Sequence, residues 1–197
     1  DKVSMSNLCQ EITLPTHPIS HIDDHLGEIA LCILSAVNVG KIRSDEELEE
    51  LCDLSVRGLE ELIDYQRYPV KAAELATKAR RSLGIGFIGL AHYLAKLGFK
   101  YESQEAWDAV HGLSESFQYY LLKASNKVAE EKGHCENFGR TKYADGILPI
   151  DTYKKDVDEI CSQPLQHDWD SLRASIATFG LRHSTLSAQM PSESSSV

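Results

Sequence analysis

The pattern of apolar and polar positions along the chain predicts several helices and a few short strands. Residues 44–64 are predicted to form an amphipathic helix, because Ser44 and Glu47 match a capping box and the first turn is acidic. Tyr68 and Pro69 end this segment. The residues assigned to one face of the helix are Leu48, Leu51, Cys52, Ser55, Leu59 and Leu62.

The longest predicted helix covers residues 103–132 and is closed by Gly133. The neighbouring tyrosines Tyr119 and Tyr120 invite a redox role. Neighbours on a helix point about 100° apart, however, and Tyr120 falls on the apolar stripe, so core packing is the preferred interpretation. The positions that keep the helical period are Ala106, Val110, Leu113, Phe117, Tyr120, Leu121, Ala124 and Val128.

Shorter elements surround these two helices. Residues 83–89 predict a short strand or turn that enters a helix stopped by Gly98. This stretch contains G-x-G but lacks the register of a dinucleotide-binding fingerprint. Two further short helices are expected, one capped by Asp151 and the other capped by Asp168 and stopped by Gly180.

Two stretches predict strands. Residues 28–37 form a nearly continuous apolar run, which is typical of a strand buried on both faces in a parallel or barrel sheet. Residues 183–190 predict a strand of small side chains that runs into Pro191 and several serines. Such a sequence often precedes a helix N-terminus, whose free N–H groups and dipole favour an anion such as phosphate. A serine-rich linker is the alternative, and composition alone leaves both open.

Candidate chemistry is concentrated at residues 6–11, which the apolar residues after them predict to be extended. Alternation along an extended segment places Asn7, Cys9 and Glu11 on one side. This row brings an amide, a thiol and a carboxylate within reach of one small bound molecule. The alternative interpretation is a structural cysteine, buried between two polar surface residues.

A loop is expected over residues 12–26, because prolines deny it regular structure and Asp23 and Asp24 add solvated charge. His17, His21 and His25 are spaced four apart, which on a helix would present metal ligands on one face. Proline and the lack of an apolar face argue against such a helix. Exposed loop histidines are therefore predicted, without a metal site.

Composition limits the classes of function. The 197-residue chain can bury a sizeable core, and its formal net charge of −10 argues against binding to a nucleic-acid backbone. No apolar run approaches the roughly 20 residues that span a bilayer, and nothing resembles a signal peptide. Five cysteines without a C-x-x-C motif favour a reducing, cytoplasmic compartment. The chain opens at Asp1 in what looks like the middle of a sequence, so a piece of a larger protein is expected.

Six motifs, in order, closely resemble the large catalytic subunit of class I ribonucleotide reductase, most of all the bacterial and bacteriophage aerobic type. They extend from the first residues to the last. The motifs are S-N-L-C-Q-E-I from Ser6, G-E-I-A-L-C from Gly27, R-R-S-L-G-I-G from Arg80, Y-Y-L-L-K-A-S-N from Tyr119, G-I-L-P-I-D-T-Y-K-K-D from Gly146 and M-P-S-E-S-S-S from Met190.

The resemblance implies an α/β fold in which two antiparallel halves, each of five parallel strands, form a ten-stranded barrel around a catalytic loop. This chain would supply about half of such a barrel. Residues 1–26 would be the catalytic loop and its connection, and residues 27–197 the helix-rich half-barrel. Alone, the half-barrel would expose unpaired strand edges, so the isolated chain is expected to be inactive.

The resemblance also implies roles for the row at the start of the chain. Cys9 matches the radical cysteine, which as a thiyl radical takes the hydrogen from the ribose 3′ carbon. Glu11 matches the carboxylate that accepts the 3′-hydroxyl proton, and Asn7 matches the amide that hydrogen-bonds the substrate. A thiyl radical also needs shielding from water, which a loop inside a barrel would provide.

Cys32 matches one of two cysteines that deliver the reducing electrons and end as a disulfide. Its partner cysteine would lie outside this chain, on an adjacent strand, because bridged cysteines need Cα atoms within about 7 Å. The substrate diphosphate would be held by the turn that matches Ser192, Glu193, Ser194 and Ser195. Ser194 replaces a common threonine but keeps the hydroxyl, whereas Val197 replaces a common glutamine and leaves the local helix start in doubt.

By the same resemblance, the substrate is a ribonucleoside diphosphate and the chain itself binds no cofactor or metal. A small β subunit that contains a metal would supply the radical, and thioredoxin or glutaredoxin would supply electrons. ATP and deoxynucleotide effectors would bind regions of the α subunit outside this chain, and the parent α subunit would form a homodimer. No nucleic-acid or membrane partner is expected.

Two other classes of function remain open at this point. One is a thiol enzyme without radical chemistry, in which Cys9 is the nucleophile and a loop histidine is the base. The other is a non-catalytic helical interaction module, which the long amphipathic helices favour. Replacement of Cys9 separates the second from any thiol chemistry.

Overall fold

The computed structural model describes residues 3–6, 9–31, 33–161 and 163–192. Its strands are β1 (Val3–Ser6), β2 (Thr13–Pro15), β3 (Ile33–Asn38) and β4 (Leu83–Ile88). Its α-helices are α1 (Asp45–Tyr65), α2 (Lys71–Arg80), α3 (Leu90–Leu97), α4 (Gln104–Lys132), α5 (Pro149–Thr152) and α6 (Trp169–Phe179). Short 3-10 helices cover Phe138–Arg140, Lys142–Asp145 and Lys155–Glu159.

The first two strands form an antiparallel hairpin in which Ser6 pairs with Thr13. The prediction of an extended run through residues 6–11 is wrong, because Cys9 lies in a turn and Gln10 has a left-handed φ of 59°. A chain reversal needs such a residue, and it removes the side-to-side alternation of a strand. The loop predicted over residues 12–26 is also wrong near its start, since β2 occupies Thr13–Pro15.

Strands β3 and β4 pair in parallel, with Ile33 opposite Leu83 and Asn38 opposite Ile88. Helix α1 packs against β3. The prediction of a strand buried on both faces over residues 28–37 is wrong in extent and in burial. The strand begins at Ile33, and Leu34 is 41% exposed because α1 covers one face of this small sheet.

The segment predicted as a strand at residues 183–190 is an irregular chain that lies beside β4. Leu83 N–H donates to Thr185 O (2.9 Å), and Ile85 N–H donates to Leu186 O (2.8 Å). Among the described residues, only an isolated parallel bridge between Ile85 and Ser187 has ladder geometry. This segment, residues 184–189, is called the β4-edge segment below.

Helix α1 is confirmed with its cap, because Ser44 Oγ accepts from Glu47 N–H (3.3 Å). The predicted capping box is incomplete, since the Glu47 carboxylate accepts from Arg43 N–H (2.7 Å) instead of that of Ser44. The buried face is also turned from the predicted one, and Leu62 is 46% exposed. The residues buried on α1 are Leu48, Cys52, Val56, Leu59, Glu60 and Ile63.

Helix α4 is confirmed from its Ser103 cap to Gly133, and it packs along α1 to form the centre of the core. Tyr120 is buried, and its hydroxyl donates to the Asp45 carboxylate at the start of α1. Tyr119 stacks on the ring of His167, with centroids 4.4 Å apart. Tyr120 therefore lies in the core, as the helical period predicts, and the partly buried Tyr119 packs against it.

The shorter helices agree with the pattern in part. Gly98 stops α3, and α6 runs from its Asp168 cap to Gly180, as predicted. Asp151 is not a cap residue but lies in the third position of α5, where its carboxylate accepts from Leu148 N–H (2.7 Å). The pattern does not predict α2, whose buried face consists mostly of alanines that carry no periodic signal of large apolar residues.

The described residues form a helix-rich α/β structure with two separate two-stranded sheets, and these sheets do not close into a barrel. Within the described ranges, no helix is both long enough and apolar enough to cross a membrane.

Candidate functional site

A small apolar cluster joins three segments that carry candidate residues. Ile12 and Leu14 from the hairpin pack with Ala188 of the β4-edge segment, and Ala30 packs against them. Ile12 follows Glu11 directly, Ala30 precedes position 32 by two residues, and Ala188 precedes Ser192 by four. The fold therefore brings the hairpin turn, the chain before β3 and the chain that leads to Ser192 into one neighbourhood.

Cys9 and Glu11 lie in the turn of this hairpin. Cys9 is exposed, whereas Glu11 is half-buried. Glu11 Oε2 is buried and has no hydrogen-bond partner among the described residues. Buried carboxylate oxygens are normally hydrogen-bonded, so an orphaned one beside an exposed thiol is a distinctive feature of this turn.

The remaining predicted site residues are less fully described. Ser192, three residues after the β4-edge segment, is half-buried. Five predicted residues lie outside the described residues: Asn7, Cys32, Glu193, Ser194 and Ser195. The structure thus places the chain that leads to them but not their side chains.

Three other cysteines lie in the described part of the chain, and all three are buried. Burial raises the pKa of the Cys52 thiol to about 12 and that of the Cys135 thiol to about 11, and it also raises the pKa of Cys161. These thiols are therefore protonated at neutral pH and packed into the protein. Their burial agrees with the interpretation of Cys52 as a core residue.

The connection after the hairpin is tied to the protein at Glu28. His17 and Glu28 exchange backbone hydrogen bonds of 3.1 and 3.0 Å. The Glu28 carboxylate accepts from Arg80 Nη2 (2.7 Å) at the end of α2. Gly27 allows this close path, because a Cβ there would lie 2.4 Å from the Ile19 side chain.

The predicted loop histidines are exposed, as expected, at positions 17, 21 and 25. In the part of the chain that the structure describes, no three His, Cys, Asp or Glu side chains gather in a group that could hold a metal ion.

A buried charge cluster lies at the other end of the β4-edge segment, and sequence reasoning did not identify it. Glu60 on α1 is 1% exposed and accepts from Arg81 Nε (2.7 Å), Arg182 Nε (2.7 Å) and His183 Nε2 (3.0 Å). Ser125 Oγ lies 2.9 Å from the other ring nitrogen of His183. No periodic pattern reveals these contacts, because Glu60 and its partners are separated by 21 to 123 residues.

The protonation states in this cluster follow from burial and from its hydrogen bonds. Burial alone would raise the pKa of the Glu60 carboxyl, but the hydrogen bonds from His183, Arg81 and Arg182 outweigh it and hold that pKa well below the ordinary value. Burial lowers the pKa of the His183 ring, and the contact with Glu60 offsets part of this effect. Glu60 is thus charged, and a neutral imidazole donates to it through Nε2–H.

The β4-edge segment packs on β4 so that no space is left for a side chain at Gly86. Gln189 uses its side-chain amide as a ladder residue, accepting from Phe87 N–H (3.0 Å) and donating to Phe87 O (3.2 Å). A Cβ on Gly86 would lie 2.3 Å from Ala188 O and 2.7 Å from Gln189 Oε1. Only glycine fits at this position without moving the segment.

Comparison with known proteins identifies similar sequences along the whole chain. A family model described as the barrel domain of ribonucleotide reductase matches residues 1–197. A "Ribonucleoside-diphosphate reductase subunit alpha" from Haemophilus influenzae is 60% identical over 194 residues, which cover 98% of this chain and 26% of the relative. The corresponding "subunit alpha" of reductase 1 from Escherichia coli is 57% identical over 194 residues, with the same coverage.

A more distant relative, the "subunit alpha" from Enterobacteria phage T4, is 44% identical over 196 residues and 98% of this chain. The chain spans about a quarter of the length of the curated relatives it matches.

Proposed function

The chain belongs to the ribonucleotide reductase barrel domain family, and on this premise we propose that it is part of the catalytic subunit of a ribonucleoside-diphosphate reductase. The complete subunit would reduce ribonucleoside diphosphates to 2′-deoxyribonucleoside diphosphates. The observation that carries this proposal is the cluster of Ile12, Ala30 and Ala188, which gathers the three motif-bearing segments.

In the proposed reaction, Cys9 as a thiyl radical removes the hydrogen atom from the ribose 3′ carbon, forming an S–H bond and a carbon radical. Glu11 accepts the 3′-hydroxyl proton and returns it at the end of the cycle. Cys32 and its partner cysteine, outside this chain, give one hydrogen as a proton to the 2′-hydroxyl, which leaves as water, and the other to the 2′ carbon. The pair thereby supplies two electrons and becomes a disulfide. At the end of the cycle Cys9 returns the hydrogen atom to the 3′ carbon. Asn7 would orient the sugar by hydrogen bonding.

Two observations support the assignment of Cys9 and Glu11. Cys9 is the exposed cysteine among the four described, so its sulfur is accessible to a substrate. Glu11 Oε2 is buried without a described partner, which leaves a carboxylate oxygen for a sugar hydroxyl to donate to. Both side chains lie in one turn, within two residues of each other.

The diphosphate would bind at the turn from Ser192 to Ser195, through backbone N–H groups and hydroxyls. This proposal is supported by Ala188 of the β4-edge segment, which packs with Ile12 and Leu14 of the hairpin four residues before Ser192. The diphosphate of the substrate would thus be bound at this turn while its ribose contacts Cys9.

The exposed thiol and the open sheets fit a half-barrel that is completed by further polypeptide. We place this chain as about half of a ten-stranded barrel, whose other strands would cover Leu34 and shield Cys9 from water. A radical-generating β subunit, a second α subunit and a dithiol protein such as thioredoxin or glutaredoxin would act on the complete assembly. Regulatory nucleotides would bind outside these residues.

Replacement of Cys9 in the complete catalytic subunit tests the proposal. With β subunit and dithiol reductant supplied, Cys9→Ser should abolish conversion of CDP to dCDP, because the corresponding alkoxyl radical is not reached at comparable energy. Cys161→Ser, which changes a buried thiol away from the hairpin, should retain turnover. Turnover by the Cys9→Ser subunit would contradict the proposal.

The exposure of Cys9 also favours a second candidate, a thiol enzyme with Cys9 as nucleophile and a loop histidine as base. Iodoacetamide labelling of Cys9 across pH separates the two. A nucleophile paired with a base reacts with a depressed thiol pKa, whereas hydrogen-atom transfer does not need one.

A further inference from the structure

We propose that Glu60 is a positioning residue for the diphosphate-binding turn, which it controls by anchoring Arg182 and His183 at the start of the β4-edge segment. This inference rests on the proposed function, because it assigns a consequence to the placement of the turn at Ser192. Glu60 itself lies on α1 and is buried among its partners.

The anchor acts on both oxygens of one carboxylate. Oε1 accepts from Arg182, and Oε2 accepts from His183 and Arg81. The backbone N–H of His183 also donates to Ser125 Oγ (3.2 Å) on α4. Residues 182 and 183 are therefore fixed to two core helices at once.

The segment after this anchor is irregular and has one isolated bridge to β4, so contacts at its two ends define its position. Its side chains are small and do not alternate strictly between polar and apolar, and weakly patterned segments are prone to slip. Gln189 holds the far end on the backbone of Phe87. The contacts of Arg182 and His183 with Glu60 hold the near end.

The position set at the anchor is transmitted along the segment to the turn. Thr185 and Leu186 accept from β4, and Ala188 N–H donates to Ile85 O (3.2 Å). Gln189 then pairs with the backbone of Phe87. From Gln189, three residues of chain reach Ser192, and they can span at most about 10 Å. A displaced segment therefore displaces the turn.

A carboxylate is required at position 60 because its partners are all donors. Arg81 is 4% exposed and also binds Asp64 (2.7 Å), which stands partly in solvent. An amide has one accepting oxygen. The side chain of Glu60→Gln therefore cannot accept hydrogen bonds both from Arg182 and from the pair Arg81 and His183. The variant keeps the shape of the side chain but releases one side of the anchor.

Binding measurements on the complete catalytic subunit test the role without radical chemistry. The dissociation constants of CDP and of CMP are measured by calorimetry. The CMP constant divided by the CDP constant reports how much the second phosphate contributes to binding. Glu60→Gln should reduce this ratio about tenfold, the effect of losing one charge-assisted hydrogen bond at the turn. A purely structural role would weaken both nucleotides alike or lower thermal stability with the ratio unchanged.

Two matched controls isolate the anchor. Asp64→Asn loosens Arg81 but leaves both contacts to residues 182 and 183, and Glu74→Gln removes a surface carboxylate bound by Lys71 and Lys78. Both should keep the wild-type ratio. If Glu60→Gln does not fold, Arg182→Gln takes its place, because it removes one anchor contact at a less buried site.

The outcomes separate this inference from the proposed function. A wild-type subunit without preference for CDP over CMP would overturn the diphosphate turn, and the positioning role with it. A wild-type preference that persists in the Glu60→Gln subunit, or in Arg182→Gln where that variant is used, would overturn the positioning role alone.

Discussion

At the residue scale, the turn of the β1–β2 hairpin combines an accessible sulfur with a partly buried carboxylate. The backbone at Gln10 is left-handed, so Cys9 and Glu11 are related by a turn and not by strand alternation. The resemblance to known reductases assigned the roles of these residues, and the structure adds the orphaned oxygen of Glu11. That oxygen leads to a prediction.

Replacing Glu11 by Gln in the complete subunit should lower turnover about 10²–10⁴-fold, because the amide cannot accept the 3′-hydroxyl proton. The dissociation constant of the nucleotide should change little, since the amide retains size and hydrogen-bonding capacity. Single-turnover kinetics and calorimetry measure the two quantities. Glu74→Gln on the surface of α2 is the control, and equal loss of turnover in both variants would contradict the assignment.

A second residue-scale prediction concerns His183 and pH. Its folded-state pKa lies below the ordinary value of 6.5, mainly because the ring is buried. As the pH falls, the His183 ring therefore binds a proton in the unfolded chain at a higher pH than in the folded chain. The contribution of the neutral buried ring to the free energy of unfolding is complete above about pH 6.5, and it is lost as the pH falls toward the folded-state pKa. Glu60, Arg81 and Arg182 are the charged groups that face the ring.

Hydrogen exchange of residues 182–189 in the complete subunit measures this effect. After correction for intrinsic rates, the free energy of local opening should be lower at pH 5.5 than at pH 7.5. His183→Gln should reduce the protection at pH 7.5 and largely remove its dependence on pH in this range. Equal protection of the wild type at the two pH values would contradict the prediction.

At the element scale, the β4-edge segment connects the core to the site. It packs so closely on β4 that Gly86 faces a backbone oxygen of Ala188, and its other end is held by Glu60. The hairpin packs on the same segment through Ile12 and Leu14. One irregular stretch of chain therefore connects the neighbourhood of the hairpin to Ser192.

Gly86→Ala should displace this segment, because the new Cβ would lie 2.3 Å from Ala188 O. We expect a loss of about 1–3 kcal/mol in the free energy of local opening, measured by hydrogen exchange over residues 184–190. Gly112→Ala, inside α4 with no atom near its Cβ position, is the matched control and should be neutral or stabilising. Unchanged exchange in Gly86→Ala would contradict the close approach.

The elements that sequence alone predicts are those with strong local signals. Helix α4 follows from its run of large apolar positions, and α6 follows from Asp168 and Gly180. Helix α2 and the strand pairing of the hairpin were missed, because alanines and three-residue strands leave weak periodic signals. The contacts of Glu60 depend on tertiary structure and could not be read from any local pattern.

At the scale of the whole molecule, the described residues form a core of helices with two small two-stranded sheets, which do not close into a barrel. The motifs predicted the family, which the comparisons confirm, and the α/β class is confirmed as well. The half-barrel stays a prediction, since the two-stranded sheets of the described residues do not form one. The exposed face of β3 and the exposed Cys9 are what an incomplete barrel would show.

The isolated chain should therefore show no reductase activity. Given a β subunit and dithiol reductant, it is expected to yield no dCDP from CDP, because in the proposed assembly the second reducing cysteine and the shield around Cys9 come from the rest of the subunit. The complete subunit under the same conditions is the control. Turnover by the isolated chain would show that the missing strands are dispensable.

The most direct test of the central claim is a crystal structure of the complete subunit with a bound ribonucleoside diphosphate. The claim predicts that Cys9 Sγ lies within about 3.5 Å of the ribose 3′ carbon or its hydrogen. It also predicts that a Glu11 oxygen contacts the 3′-hydroxyl and that the diphosphate rests on the turn that starts at Ser192. A nucleotide bound with its sugar remote from Cys9, or with its phosphates away from this turn, would contradict the claim.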